Sequence, residues 1–256
     1  IFLPWLPHTL ASLEKRKVAL KTIVQEEPTI AWNLLDSLLN SMHSSTTGTY
    51  KPKYREVVPT DWKKTVSNKE YWEQIDYNSM LLLELADSNI LKLSKLADKI
   101  NQLSLNGFNK FIKKVSSKEI LELDDETKNS LWISLEKTYI RNNRFSDATW
   151  ALKKEDLEKI KDVLPLLAPK NPYLLYQNLF TQSEHELYEE RGNYEEQSKN
   201  LFEKRKKAIE EIINTSSFEN ILIFMKEINK SFLVGQIVAG LNNKCYDQIL
   251  LPKLLN

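Results

Sequence analysis

The shortage of glycine constrains the fold of this chain more than any other feature of its sequence. Only 5 of the 256 residues are glycine, whereas an average protein uses about three to four times that fraction. Glycine supplies the positive-φ turns on which hairpins, phosphate-binding loops and nucleophile elbows depend. We therefore expect an all-α fold of stacked antiparallel helical hairpins, similar to an α-solenoid, with few of these devices.

Composition narrows the class of protein further. Hydrophobic residues make up 41% and charged residues 28% of the chain, which is typical of a folded globular protein. The 36 Lys and Arg residues against 35 Asp and Glu give a net charge of +1, so no global field attracts nucleic acid or anionic lipid. No apolar run approaches the roughly 20 residues of a membrane span. We expect a cytoplasmic location, no membrane partner and, because Cys245 is the single cysteine, no intramolecular disulfide.

Changes in composition and helical periodicity along the sequence suggest one helical domain, residues 1–256, in three parts. Residues 1–40 predict a helical hairpin, with Ser12 near the start of the first helix and Pro28 in the first turn of the second. Residues 41–66 contain a Ser/Thr cluster, Gly48 and two prolines, and form the longest segment without a helical period. Residues 67–256 predict the main helical body, in which Trp72, Ile75, Ser79 and Leu82 are among the residues on the buried face of the first helix.

A heptad-like pattern runs from about Ser183 to Asn214. Leu187, Tyr194, Leu201 and Ala208 recur every seven residues, and this spacing predicts a long helix lying along other helices. Gly192 weakens the first third of that helix.

Two stretches of the sequence echo each other. Residues 14–24 and 203–213 share the pattern E-K-R-K-x-A-[LI]-x-x-I-[VI], which indicates either stacked repeats or a chance likeness between Lys/Glu-rich helices. At 100° per residue, Arg16 and Arg205 fall within the apolar stripes of their helices. We expect each arginine to pack its stem and to pair its guanidinium with a carboxylate of a neighbouring element.

The sequence contains no recognisable catalytic, cofactor-binding or metal-binding motif. Of the three histidines, only His185 has an acidic neighbour, Glu189, at helical i, i+4 spacing, and two ligands do not make a metal site. There is no G-x-S-x-G elbow, no G-x-G-x-x-G, and no phosphate loop after Gly48. Acidic runs such as Asp124–Glu126 suit helix N-termini. We predict no catalytic, cofactor-binding or metal-binding residues and no cofactor.

The irregular segment 41–66 is the strongest functional candidate in the sequence. It interleaves cations with aromatic residues, a combination that suits phosphate contacts and base stacking. Glu56 and Asp61 dilute its positive charge, so contact with a partner protein and an ordered structural loop remain open beside nucleic-acid contact. The predicted binding residues are Lys51, Lys53, Tyr54, Arg55, Trp62, Lys63 and Lys64.

Several dispersed stretches carry a resemblance to known proteins: IFLPWLPHT, SLEKRKVAL, HSSTTGTYKPKYR, LAPKNPYLLYQNLF and LFEKRKKAIEEII. They resemble helical regions of large bacterial multidomain proteins, the STAND-type NTPases of antiviral defence. The resemblance implies a helical sensor or scaffold region whose nucleotide-binding and effector residues lie outside this chain. The opening at Ile1 lacks a methionine and a signal peptide's basic region, so we expect the chain to be cut from a larger protein.

These observations favour a non-catalytic scaffold or recognition domain. Its partner would be another protein or other domains of the same chain. The alternative is a nucleic-acid-binding helical module that uses the basic 51–64 loop, and the third hypothesis is an enzyme domain without a recognisable motif.

Overall fold

The computed structural model describes residues 2–7, 9, 11–39, 66–215, 218–241, 243, 246, 248 and 249. Within these residues the chain forms thirteen α-helices and one 3₁₀ turn, and no strand, so the all-α prediction is confirmed. None of these helices is both long and apolar enough to cross a bilayer. The chain divides into two compact units, Ile1–Ile120 and Leu121–Asn256, while the solenoid-like stacking and the single-domain organisation stay predictions.

Unit 1 (Ile1–Ile120) contains the first helices, whose bounds follow the sequence signals closely. They are α1 (Leu13–Glu26), α2 (Pro28–Leu38), α3 (Asn68–Ala86), α4 (Ile90–Asp98), the 3₁₀ turn Ile100–Gln102, α5 (Leu105–Val115) and α6 (Lys118–Leu121), whose last residue is the first of unit 2.

Polar side chains fix where several of these helices begin. Ser67 Oγ accepts a hydrogen bond from the Glu70 N–H, and Ser104 Oγ accepts one from the Gly107 N–H. Such caps satisfy backbone donors that the first helical turn leaves free. The second helix begins instead at Pro28, where the missing N–H costs no helical bond.

The core of unit 1 forms where α1 and α2 pack on α3, and α3 packs on α4 and α5. Ile75, Ser79 and Leu82 of α3 are buried as predicted, but Trp72 is 61% exposed. The prediction for Trp72 is wrong although its side chain points in the same direction around the helix as that of the buried Ser79, because Trp72 lies near the start of α3, where the packed elements leave that face uncovered. At Gly107 of α5, an added Cβ would lie 2.6 Å from Ser79 Cβ, so glycine permits this close approach of the two helices.

Unit 2 (Leu121–Asn256) contains the remaining helices. They are α7 (Asp125–Arg144), α8 (Lys154–Leu167), α9 (Pro172–Thr181), α10 (Glu184–Leu187), α11 (Tyr194–Thr215), α12 (Glu219–Glu227) and α13 (Ser231–Gly240). Asp124 caps α7 by accepting from the Thr127 N–H at 2.8 Å, which confirms the acidic N-terminus read from the sequence. A hydrophobic cluster centred on Phe180, Ile209 and Phe224 joins α9, α11 and α12.

The predicted long helix from Ser183 to Asn214 is interrupted in its first third, and the rest of it forms α11. The chain makes only the short α10, leaves the helical path at Tyr188, and starts α11 at Tyr194. Tyr188 at the start of the break is 5% exposed. The break includes Gly192, which weakened this helix in the sequence, but the heptad pattern itself did not show it, because the residues that hold the connection lie on α7 and in the turn that follows it.

Arg16 and Arg205 confirm the prediction made from the echoed sequences. Arg16 is 3% exposed and its Nη2 donates to Glu70 Oε1 of α3 at 2.8 Å. Arg205 is 4% exposed and its Nη1 donates to Glu184 Oε1 of α10 at 2.8 Å. The carboxylate follows the arginine in the chain in unit 1 and precedes it in unit 2, so the two helices share a way of packing while the order of elements around them differs. The structural repeat itself stays a prediction.

Candidate functional site

The binding residues predicted from the sequence fall in a part of the chain that the structure does not describe. Lys51, Lys53, Tyr54, Arg55, Trp62, Lys63 and Lys64 all lie within residues 40–65. Their role in binding a protein or a nucleic acid stays a prediction. The described residues offer a different candidate in unit 2, around the connection Tyr188–Asn193.

The C-terminal end of α7 holds this connection in place. Arg144 Nη1 donates to the His185 carbonyl oxygen at 2.6 Å, and Asn143 Nδ2 donates to the Glu189 carbonyl oxygen at 3.5 Å. Both arginines of the last turn of α7, Arg141 and Arg144, also suit the negative end of the helix dipole. The end of α7 therefore supports the connection with both hydrogen bonds and charge.

Two ion pairs tie the connection to its surroundings. The Arg191 guanidinium forms a two-pronged pair with the Asp147 carboxylate, at 2.7 and 2.9 Å. Lys204 of α11 pairs with Glu189. Arg191 and Asp147 remain 51% and 71% exposed, so solvent and an incoming ligand both have access to this pair.

A groove of about 360 Å³ opens between the connection and the first half of α11. Its walls carry both signs of charge, with Glu190 and Glu203 among the acids and Arg191 and Lys207 among the cations. Tyr188 and Leu201 supply apolar wall. A pocket with such a lining can orient a polar peptide by charge while burying part of its apolar surface.

Beside the groove lies a cluster that we call the arginine–aromatic patch, made of Arg141, Arg144, Phe145, Trp150 and Arg191. The Arg141 guanidinium lies 4.7 Å from the centre of the Trp150 ring. Those of Arg144 and Arg191 lie 5.1 and 4.8 Å from the centre of the Phe145 ring. The two rings are 6.0 Å apart. Cation–π contacts of this kind hold a guanidinium plane in one orientation while its N–H donors remain available.

The turn that carries Phe145 and Trp150 is fixed by a buried amide. Asn142 Oδ1 accepts a hydrogen bond from the Leu152 N–H at 2.8 Å, and Asn142 Nδ2 donates to the Thr138 carbonyl oxygen at 2.9 Å. Asn142 is 1% exposed. Because both ends of this amide are used, the turn is held against α7 and the patch is preorganised.

Burial changes the acid–base behaviour of two groups next to the groove. Burial raises the pKa of Tyr188, whose ring packs edge-on to Tyr194 at 6.2 Å, so its hydroxyl stays neutral. Burial also raises the pKa of Glu136 on α7, and the hydrogen bond that Asn178 Nδ2 donates to Glu136 Oε2 at 3.1 Å opposes that shift. The charge of Glu189 raises and that of Lys204 lowers the pKa of this carboxyl, so the two members of the ion pair oppose each other there.

The grouping that most resembles a catalytic site lies in unit 1, at the turn between α3 and α4. Lys114 Nζ donates to Ser88 Oγ at 2.8 Å, and the same hydroxyl donates to Glu119. A lysine activates a serine only when the amine is neutral. Its hydrogen bonds to Glu119 and Asp87 raise the pKa of Lys114, so the amine is protonated and lacks the lone pair of a general base.

This polar cluster lies instead at a turn with an unusual backbone. Asp87 has φ 43° and ψ −118°, a conformation that favours glycine. The Asn89 N–H donates to the Ala86 carbonyl oxygen at 2.9 Å and closes the turn. Lys114 Nζ lies 3.0 Å from the Asp87 carboxylate, so an ion pair joins α5 to this turn.

His185 and Glu189, which have helical i, i+4 spacing in the sequence, are not on one helix. The helix α10 ends at Leu187, so the two side chains do not share a helix face. Among the described residues, no three His, Cys, Asp or Glu side chains come together in a group that could hold a metal ion. His8, His43 and Cys245 lie outside those residues.

Sequence reasoning missed the arginine–aromatic patch although a signal was present. Residues 141–154, RNNRFSDATWALKK, contain Arg141, Arg144, Lys153 and Lys154 against the single acid Asp147, a net charge of +3. The same mixture of cations and aromatic residues singled out the 51–64 loop. The stretch was read as parts of two helices and not as a possible binding segment, because its first four residues end α7 and its last belongs to α8.

No family model, no curated protein and no solved structure matches this chain.

Proposed function

We propose that this chain is a recognition region that binds a peptide segment of a partner protein, or of another region of the same protein, at the surface around Tyr188–Asn193. The observation that supports this proposal is the preorganised arginine–aromatic patch beside a groove lined by both signs of charge. Arginine and aromatic side chains dominate the energetic centres of protein interfaces. The expected likeness to sensor regions of STAND-type NTPases accords with such a role and is part of the proposal.

Preorganisation is the physical reason to expect useful affinity here. Binding costs about 0.5–1.5 kcal/mol for each flexible side chain that becomes fixed. In the patch, that cost has already been met on folding, because the rings hold Arg141 and Arg191 and the buried Asn142 amide holds the turn. A ligand gains the hydrogen bonds without ordering the groups that make them.

The test is a selection of random twelve-residue peptides on the purified chain, followed by fluorescence anisotropy with each enriched peptide. Arg191 belongs to both the patch and the groove wall, so Arg191→Gln is expected to weaken binding about tenfold. The matched control is Lys21→Gln, which removes an exposed cation from α1 in unit 1 and should leave binding unchanged. Failure to enrich any peptide, or equal binding by the Arg191→Gln protein, would contradict the proposal.

A further inference from the structure

We infer that the ligand of the arginine–aromatic patch is an acidic peptide segment, and that Arg141 is the residue that binds its carboxylate. This inference rests on the proposed function and names the chemistry of the partner. It depends on three observations in the described part of unit 2: the free charge of Arg141, the pair already formed by Arg191, and the covered faces of the two aromatic rings.

Arg141 carries a charge that the described residues do not neutralise. Its side chain is exposed, and among the described residues its guanidinium has the Trp150 ring as its charge contact and forms no ion pair. Lys153 and Lys154, exposed at the start of α8, likewise form no ion pair there. Three exposed cations thus lie at the two ends of the stretch 141–154, and the fork of donors on a planar guanidinium matches a carboxylate in geometry.

Arg191 shows that a carboxylate fits this environment. The Asp147 carboxylate forms a bidentate ion pair with the Arg191 guanidinium, at 2.7 and 2.9 Å. The same guanidinium lies over the Phe145 ring. Arg141 has the corresponding arrangement over Trp150 without the carboxylate. A carboxylate of the peptide would pair with the Arg141 guanidinium as the Asp147 carboxylate pairs with that of Arg191.

The rings distinguish an acidic peptide from a nucleic acid. A single-stranded nucleic acid binds largely by stacking its bases on open aromatic faces. Here guanidinium groups already lie over the Phe145 and Trp150 rings. A carboxylate needs no open ring face to bind a guanidinium, so an acidic peptide fits the covered rings.

The experiment uses the peptides enriched on the whole chain and measures their affinity for Arg141→Gln, Arg141→Lys and the control Lys21→Gln. We expect the enriched peptides to be rich in Asp and Glu, and Arg141→Gln to weaken binding about tenfold or more. Arg141→Lys should recover only part of the loss, because an ammonium keeps the charge but neither the flat stack nor the fork. Affinity should fall as salt is raised.

The outcomes separate this inference from the function on which it rests. Peptides that respond to Arg191→Gln but are not acidic, or that ignore Arg141→Gln, would overturn the inference and leave the recognition function standing. A twenty-base single-stranded oligonucleotide serves as the competing probe. If it binds more tightly than the peptides and loses affinity on Arg141→Gln, the ligand is a nucleic acid and the inference is wrong. If no peptide is enriched, both proposals fail.

Discussion

The buried network around Arg16 offers the sharpest test of how unit 1 is held together. Arg16 Nε and Nη2 donate to Gln74 Oε1 at 3.2 and 3.1 Å, and Nη1 donates to the Ala11 carbonyl oxygen at 3.0 Å. Glu70 completes the network at 2.8 Å and is 28% exposed, whereas Gln74 is fully buried. Removing the arginine would therefore leave Gln74 with a buried acceptor that water cannot reach.

We expect Arg16→Met to lower the free energy of unfolding by about 3 kcal/mol, of which a buried acceptor without a partner accounts for about 1–3. Methionine retains the apolar stem, so the loss reports the polar network. Gln74→Leu alone should cost about 1–2 kcal/mol, because the arginine keeps its bonds to Glu70 and Ala11. In the double variant the two losses should overlap by about 2 kcal/mol, since no buried partner is left unsatisfied.

The assay is urea denaturation followed by far-ultraviolet circular dichroism, with a separate transition fitted for each unit where two are resolved. Lys15→Met, at an exposed neighbouring position on α1, is the matched control and should change the free energy of unfolding by less than about 0.5 kcal/mol. Strictly additive costs for the two substitutions, or a cost of Arg16→Met no larger than that of the control, would refute the reasoning.

Four further predictions test other parts of the structure. Asp87→Gly should raise the midpoint of thermal unfolding by about 3 °C, because glycine accepts φ 43° without strain; Asp87→Asn keeps the strained backbone and should not raise it. Gly107→Ala should cost about 1–3 kcal/mol in urea denaturation, since its Cβ would meet Ser79 Cβ at 2.6 Å, and the truncation Ser79→Ala should not relieve that clash. Glu136→Gln should stabilise unit 2 at neutral pH, because the raised pKa of Glu136 means that folding disfavours its charged form. The gain in the free energy of unfolding should grow as pH rises above about 4.3. A gain that does not depend on pH would contradict this. If the 51–64 loop binds nucleic acid, changing Lys51, Lys53 and Arg55 to Glu should abolish salt-dependent binding in a fluorescence assay; no binding by the unaltered chain at low salt would exclude that alternative.

Much of the fold could be predicted because its signals are local. The bounds of α7 follow from Asp124, which caps the first turn, and from the apolar period that continues to Arg144. The environments of Arg16 and Arg205 were also predictable, because a helical wheel places both within an apolar stripe. Burial on that stripe then requires a partner for the charge, whichever element supplies it.

Predictions failed where the deciding contact comes from elsewhere in the chain. Trp72 belongs to the same apolar period as Ile75, Ser79 and Leu82, yet it is 61% exposed while those three are buried. A helical period gives the direction of a side chain around the helix axis, but not how far along the helix the covering elements extend. Packing from elsewhere in the chain decides that.

By itself the sequence determined an all-helical chain: the shortage of glycine removes most sharp turns, and local caps and apolar periods place the helix ends. Only the tertiary structure decided that residues 188–193 leave the helical path and that Arg141, Phe145, Trp150 and Arg191 meet there. The physical reason is how far apart in the sequence the interacting residues lie. Helical hydrogen bonds join residues four apart, whereas the pairs that hold the connection, such as Arg191 with Asp147 and Arg144 with His185, join residues more than forty positions apart.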